Sequence, residues 1–426
     1  MAGMRCTPLT FLLAGFTWIL LASLLGIATL LGLVQGTPLP AWLKSIHVHG
    51  ALVGGLLQIV IGGFFTSIAR SSEEKQAYSQ SRPALFLVFN GMTIGLLVAL
   101  WGEQMPAAGI TGVVLIGAIL RTTTMAWGHV HEELNGPKGS GWIYRGALMA
   151  LLIGLVVGTA MAFRLFPEFY PQLRLMHIHL IVLGFFTLVF LFGIHQLLPV
   201  ILNKELLHLR SADVALWAIP LGLAALLAGF FTSSLRFELA VGGLLLVSVA
   251  ICAFRLIRTW VQSGISGNAA SDHLLMGAFF LLLATATGLG IGANYLPTQP
   301  FLPIGSLHVV AYTHLAFVGF MVQGALGALS YALPVILASS RVPSLKKRGP
   351  YREQLDSIMN RWRTVQLGAM SLGTMGLAVL AALVWSVPLT SWYVQCAVWV
   401  SGGLLLASLT VFSAKLAWAV GLRPPA

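Results

Sequence analysis

Three stretches of the chain share one pattern: residues 49–69 read HGALVGGLLQIVIGGFFTSIA, residues 179–199 HLIVLGFFTLVFLFGIHQLLP, and residues 314–334 HLAFVGFMVQGALGALSYALP. Each opens on a histidine, carries glycine five residues later at Gly54, Gly184 and Gly319, and stays apolar for the length of a membrane crossing. About twenty mainly apolar residues cross roughly 30 Å of hydrocarbon, and the segments that do so are helices because the backbone must satisfy its own polar groups there. The second and third stretches also place proline twenty residues after the histidine, at Pro199 and Pro334. The histidines lie 130 and 135 residues apart, close to one third of the 426-residue chain. A repeat of that period outranks any single element in deciding a fold. It divides the chain into units of approximately 1–142, 143–270 and 271–426.

The remaining sequence fits the same reading. Hydrophobic residues make up 58% and charged residues 8% of the chain, against about 25% charged in a soluble domain. Spans are expected at 8–34, 46–69, 84–102, 106–130, 143–166, 174–202, 212–232, 237–260, 271–296, 305–338, 361–385 and 391–420. His49, His179 and His314 then open the second, sixth and tenth, so the repeating unit is four helices. The fold class expected is an all-α membrane protein of about twelve transmembrane helices in a pseudo-threefold array of four-helix units. Gly36-Thr37-Pro38-Leu39-Pro40 after the first span lacks the small-residue cleavage pattern of a secretory signal, so that span is expected to be retained. The polar stretch Ser339 to Asn360, with Lys346, Lys347 and Arg348, reads as a solvated cytoplasmic loop.

A net charge of +12 raises nucleic acid as a partner, but the placement of the charge speaks for topology. Nineteen of the 24 Lys and Arg fall on the N-terminal side of the membrane: Arg5, the loops 70–82, 138–145, 204–210, 255–258 and 341–363, Lys415 and Arg423. Only Lys44, Arg164, Arg174 and Arg236 fall opposite, and Arg121 lies within a span. The positive-inside rule puts both termini in the cytoplasm, as expected for a bacterial inner-membrane protein, with the lipid bilayer as the general partner and no nucleic acid. Cys6, Cys252 and Cys396 are scattered, with no C-x-x-C-H attachment, so any haem is held non-covalently.

Six histidines, His47, His49, His177, His179, His308 and His314, fall in the outer half of the expected membrane. A lone histidine near a helix end can simply meet water or headgroups. Three in one register are another matter, because ionisable groups inside membranes are costly and line cofactors, pathways or relays. Neutral imidazole is also a common ligand for metals and for haem iron. The pairs His47/His49 and His177/His179 are two residues apart, about 200° around a helix. Only one of each pair can face a given centre. The repeat register selects His49, His179 and His314 as candidate metal ligands and leaves His47, His177 and His308 supporting or interfacial roles.

Helices 2, 6 and 10 opening with histidine, inside a threefold array of four helices, resemble the catalytic subunit (subunit I) of the haem-copper oxidase superfamily, most closely the cbb-type oxidases and nitric oxide reductases. His314 to Pro334, with Tyr331, resembles that family's tenth helix; His179 to Pro199, with Gly184-Phe185-Phe186, resembles its sixth; Val48-His49-Gly50 resembles its second-helix motif. The resemblance implies a low-spin haem b held by His49 and His314, and a place in respiratory electron transfer or oxygen and nitric oxide handling. It further implies an electron donor, cytochrome c or quinol, or a companion subunit. The family's tenth helix gives a second histidine to a high-spin haem; here Tyr312 stands in that place, where it ligates as a phenolate or fills space. The family's copper takes one histidine from the sixth helix, matching His179, and a pair from the seventh. The expected seventh span, 212–232, contains no histidine, so the copper centre is expected to be incomplete and any oxidase-like enzyme to lack a three-histidine copper site. Arg174, three residues before His177, is a candidate partner for a haem propionate or an interfacial anchor.

Two other classes share features of this chain. The NnrS-like haem- and copper-containing membrane proteins of nitric oxide tolerance also have twelve spans and a His-x-His in helix 2, as at His47-Val48-His49, but their Gly-His-Thr-Gly-Arg stretch is absent. A metal or small-molecule transporter would use the histidines to bind a passing ion. Threefold four-helix repeats are unlike the inverted halves usual in transporters.

Overall fold

A computed structural model describes residues 6–37, 39–71, 82–133 and 141–424. Arg5, residues 72–81 of the 70–82 loop and residues 138–140 of the 138–145 loop lie outside the described residues. The described chain is helical, without a strand. Among the described residues, twelve helices are long and apolar enough to cross a membrane: Pro8–Val34, Trp42–Thr66, Pro83–Trp101, Met105–Thr124, Gly141–Ala162, Pro167–Leu202, Arg210–Thr232, Leu235–Ser263, Ala269–Ala293, Ser306–Arg341, Arg363–Leu383 and Trp392–Gly421. These are spans 1 to 12, and the protein is an all-α integral membrane protein.

Local chemistry sets their ends. Pro8 and Pro83 stand in the first turns of their helices, where the missing N–H is no loss. Asn268 caps span 9, accepting from the Ser271 N–H at 2.9 Å, while the Ser271 hydroxyl accepts from the Asn268 N–H at 2.9 Å. Span 8 closes on Gly264, whose φ of +64° lies in the left-handed region that glycine tolerates. Pro199 and Pro334 do not end their helices: span 6 runs on to Leu202 and span 10 to Arg341.

Spans 2, 6 and 10 form the inside of the bundle. Of their most apolar windows, 61%, 61% and 78% lies buried, against 17–44% in the other nine. Phe190 of span 6 meets Phe320 of span 10 at 6.2 Å between ring centres, and Phe64 of span 2 meets Tyr144 of span 5 at 5.7 Å. Phe16 of span 1 on Phe412 of span 12, at 5.0 Å, links the first repeat to the last.

The three inner spans share a further feature. Each is α-helical as far as its histidine and then widens into π-helix, over Gly50–Leu57, Leu180–Thr187 and Leu315–Val322, before returning to α at Gln58, Leu188 and Gln323. A π-segment admits an extra residue, so the side chains above it are re-aimed relative to those below. The glycines of the sequence register lie within these segments, where spans 1, 5 and 9 press closest. A Cβ on Gly54 would lie 2.7 Å from the Trp18 ring and one on Gly184 2.7 Å from Ala150 Cβ, while one on Gly319 would strike Phe280. Beneath the π-segments, buried amides join neighbouring spans. Gln58 donates to Asn90 at 3.1 Å, and Gln323 donates to Ser371 at 3.0 Å while meeting His273 Nδ1 at 2.6 Å.

Two expectations are corrected. The stretch expected as a solvated loop contains a helix, Leu345–Asn360, whose Tyr351, Leu355, Ile358 and Met359 are buried. That spacing is the apolar stripe of an amphipathic helix, hidden in sequence by the basic cluster before it. Arg341 pins it, donating to the Tyr351 hydroxyl at 3.1 Å and to the Leu422 and Val420 carbonyls at 2.9 and 2.8 Å. Lys415, grouped with the charges of the cytoplasmic surface, is instead enclosed by the bundle: it is 1% exposed and donates to the Met359 carbonyl at 2.9 Å and Gln366 Oε1 at 2.6 Å.

Candidate functional site

Five of the six outer histidines resolve into two classes by their hydrogen bonds. His49, His179 and His314 turn Nδ1 back onto their own helix, to the carbonyls of Ser45, Leu175 and Val310 at 2.8, 2.8 and 2.7 Å. His47 and His177 reach across to the preceding span instead, to the Ala22 and Gly154 carbonyls, each at 2.8 Å. A carbonyl can only accept, so in all five rings Nδ1 carries the proton and Nε2 keeps its lone pair. That is the tautomer of a metal-ligating histidine whose other nitrogen is held by backbone.

Glycines on spans 1, 5 and 9 allow the close approach. A Cβ on Gly26 would overlap the His47 ring at Cε1; one on Gly158 would lie 2.7 Å from His177 Cε1; one on Gly288 would lie 2.9 Å from Tyr312 Cε2. Tyr312 therefore occupies in the third repeat the place that His47 and His177 occupy in the first two. The signal for these glycines lies in the sequence, since 26, 158 and 288 recur at the repeat period, but 46 glycines in the chain conceal it.

His314 faces His47. Their ring centres are 6.2 Å apart and their planes within 10°. Flat rings in face contact would sit at about 3.5–4 Å, so the pair is spaced rather than stacked. With a metal–nitrogen bond of about 2.0–2.1 Å and about 1.2 Å from nitrogen to ring centre, two imidazoles trans to one metal lie about 6.4 Å apart. His47, His49, His177, His179, His314 and Tyr312 are half-buried, although they stand on the three most buried spans. The two rings thus have the tautomer, and the distance between ring centres, of two imidazoles that share one metal.

His49 is the electrostatic neighbour of His177, as His47 is of His314. The family resemblance implies His49 with His314, whereas the ring that lies parallel to His314 is that of His47, and a threefold arrangement accounts for that contact. Equivalent residues lie about one axis, each facing its own interface. A pair across one interface joins unlike positions of adjacent repeats, so His47 of the first meets His314 of the third.

The other expected residues are placed as follows. His179 packs on Phe230 of span 7 at 4.9 Å between ring centres. Arg174 is exposed one turn before His177. His308 is nine-tenths buried at the start of span 10, accepting the Gly305 N–H at 3.0 Å and lying 4.8 Å from the Trp385 ring. His195 and His273 are buried at the far end of the bundle, each with Nε2 lacking a hydrogen-bond partner among the described residues. The side chains of His129 and His131 lie outside the description. No group of three or more His, Cys, Asp or Glu side chains placed to hold a metal ion occurs among the described residues. No protein-family model and no curated protein matches the chain.

Proposed function

We propose that the protein is a haem b-binding integral membrane protein of haem-copper oxidase type, serving respiratory electron transfer or the handling of oxygen or nitric oxide, with its copper centre incomplete. The observation that carries this reading is the His47–His314 pair: parallel rings 6.2 Å apart, each with Nδ1 fixed on a carbonyl. His314 is retained as an axial ligand, and of the two second-span histidines the geometry favours His47 over His49. An iron held by two imidazoles has both axial positions filled, which suits one-electron transfer better than binding a gas.

The chain's own contribution is to hold the two rings. The Ala22 and Val310 carbonyls set the tautomer and raise the basicity of each Nε2. The bilayer and the packed inner spans keep the site in a low-dielectric surround, one lever on redox potential. The distribution of basic residues supports a histidine end on the outer side with both termini cytoplasmic, in keeping with a bacterial inner membrane. An electron donor, cytochrome c or quinol, would then approach that end.

The test is spectroscopic. Protein purified from a haem-replete host should give a b-type pyridine haemochrome and a reduced low-spin α-band, and His47→Ala and His314→Ala should each reduce that band. Protein that carries no haem, or a band untouched by both substitutions, would overturn the proposal.

A further inference from the structure

The rule that pairs His47 with His314 applies at two more interfaces between repeats. By that rule one would set His177 against His49, and the other would set Tyr312 against His179 and so lack one imidazole. We infer that the protein holds a second bis-histidine haem, between His49 of span 2 and His177 of span 6. This extends the proposed function and rests on its reading of the His47–His314 pair.

Three observations carry it. First, the hydrogen bonding of the four histidines repeats. His177 donates from Nδ1 to Gly154 of span 5 as His47 does to Ala22 of span 1, each at 2.8 Å; His49 donates to Ser45 as His314 does to Val310, at 2.8 and 2.7 Å. Both pairs are thus left with two free Nε2 lone pairs. Second, His177 stands tight on Gly158 as His47 does on Gly26, so both rings are held close against the preceding span, and His177 has His49 as its electrostatic neighbour.

Third, the cations follow the imidazoles. Three residues before His47 stands Lys44, and three before His177 stands Arg174; three before Tyr312 stands Val309. All three positions are exposed. Only four basic residues fall on this side of the membrane by the charge pattern, and two of them occupy this one position in the two repeats that have the histidine. A residue three positions earlier on a helix lies one turn away on the same face. A haem carries two anionic propionates, and a cation one turn nearer the surface is placed to pair with one. Where Tyr312 removes the second imidazole, the cation is absent too. A general anchoring role for the cations would have no reason to skip that repeat.

The experiment is a haem count on the full-length protein, with haem from the pyridine haemochrome and protein from amino-acid analysis. Two haems per chain are expected in the wild type. His177→Ala and His49→Ala should each halve the content and leave the remaining low-spin α-band, which also shows that the variant is folded. His47→Ala should halve it as well, and the His47→Ala/His177→Ala double variant should hold none. In a redox titration, Arg174→Gln should move one of two waves and leave the other. One haem per chain, lost with His47 and kept without His177, would overturn the second site while the proposed function stood. No haem at all would overturn both. The wild-type count decides even where a variant fails to fold.

Discussion

Gly26 packs directly against the His47 ring, and Gly26→Ala tests the site without touching a ligating atom. A Cβ there would overlap His47 at Cε1. Carbon atoms pack at about 3.5–4 Å, so the ring must withdraw by about 1 Å or more. That shift has two effects. It stretches the Nδ1 hydrogen bond to Ala22, now 2.8 Å, towards or beyond the 3.6 Å at which such contacts no longer count as hydrogen bonds. It also exceeds the roughly ±0.2 Å that a metal–ligand distance tolerates. The hydrogen bond alone contributes about 0.5–1.5 kcal/mol, and about 1.4 kcal/mol is a factor of ten. Losing it lowers the population of the ligating ring orientation about two- to tenfold before the displacement itself is counted. The expected outcome is a loss of the low-spin electron paramagnetic resonance signal and α-band belonging to the His47–His314 site. Gly403→Ala is the control, because a Cβ there meets nothing within 4 Å. A Gly26→Ala protein with the full low-spin spectrum of the control would refute the placement of iron at His47.

Three further substitutions separate packing from ligation. His308→Ala removes the acceptor of the Gly305 N–H and the Trp385 ring contact; it should cost about 0.5–2 kcal/mol of stability, as lost helix caps do, and lower the thermal midpoint in detergent while the haem spectrum stays, whereas a lost α-band would put His308 at iron. Arg341→Gln removes charged hydrogen bonds to the Leu422 and Val420 carbonyls, about 3 kcal/mol in all; amide exchange over Leu345–Asn360 should quicken about a hundredfold, and unchanged exchange would show that Arg341 does not hold this helix. Tyr312→His restores the missing imidazole opposite His179, and with Phe230→Leu clearing the ring beside His179 the haem content should rise by one; an unchanged count would mean that paired imidazoles are not sufficient for occupancy.

Much of the architecture was legible because hydrophobic length is a coarse signal that membranes enforce. All twelve expected spans overlap the observed ones, and the largest boundary differences fall where local chemistry is ambiguous. Span 6 starts at Pro167, seven residues before its expected start at 174, because a 3-10 turn over Pro167–Phe169 leads into the helix at a proline the apolar pattern does not count. The Leu345–Asn360 helix was missed for the opposite reason: its buried stripe is only four residues, and mean polarity outweighed its spacing. Lys415 was read from its charge alone, yet the Met359 carbonyl and Gln366 Oε1 hold its ammonium inside the bundle. The π-segments left no mark in composition, since a widened turn depends on how neighbouring spans press on Gly54, Gly184 and Gly319.

The site was legible as a set of residues and not as a set of pairs. Register marks His49, His179 and His314 as equivalents, and equivalence is the property that keeps them apart around a threefold axis. Partners across an interface must come from unlike offsets, here the repeat histidine of one unit and the residue two positions before it in the next. That offset places His47 opposite His314, as the ring contact shows, and by the same rule would set Tyr312 against His179. The residue three positions earlier again, Lys44, Arg174 or Val309, changes in step with it. A cyclic repeat therefore encodes its binding sites in the covariation of offsets within each unit, and the unit that departs, with Val309 and Tyr312 together, is the one whose interface is expected to stay without a bis-histidine group.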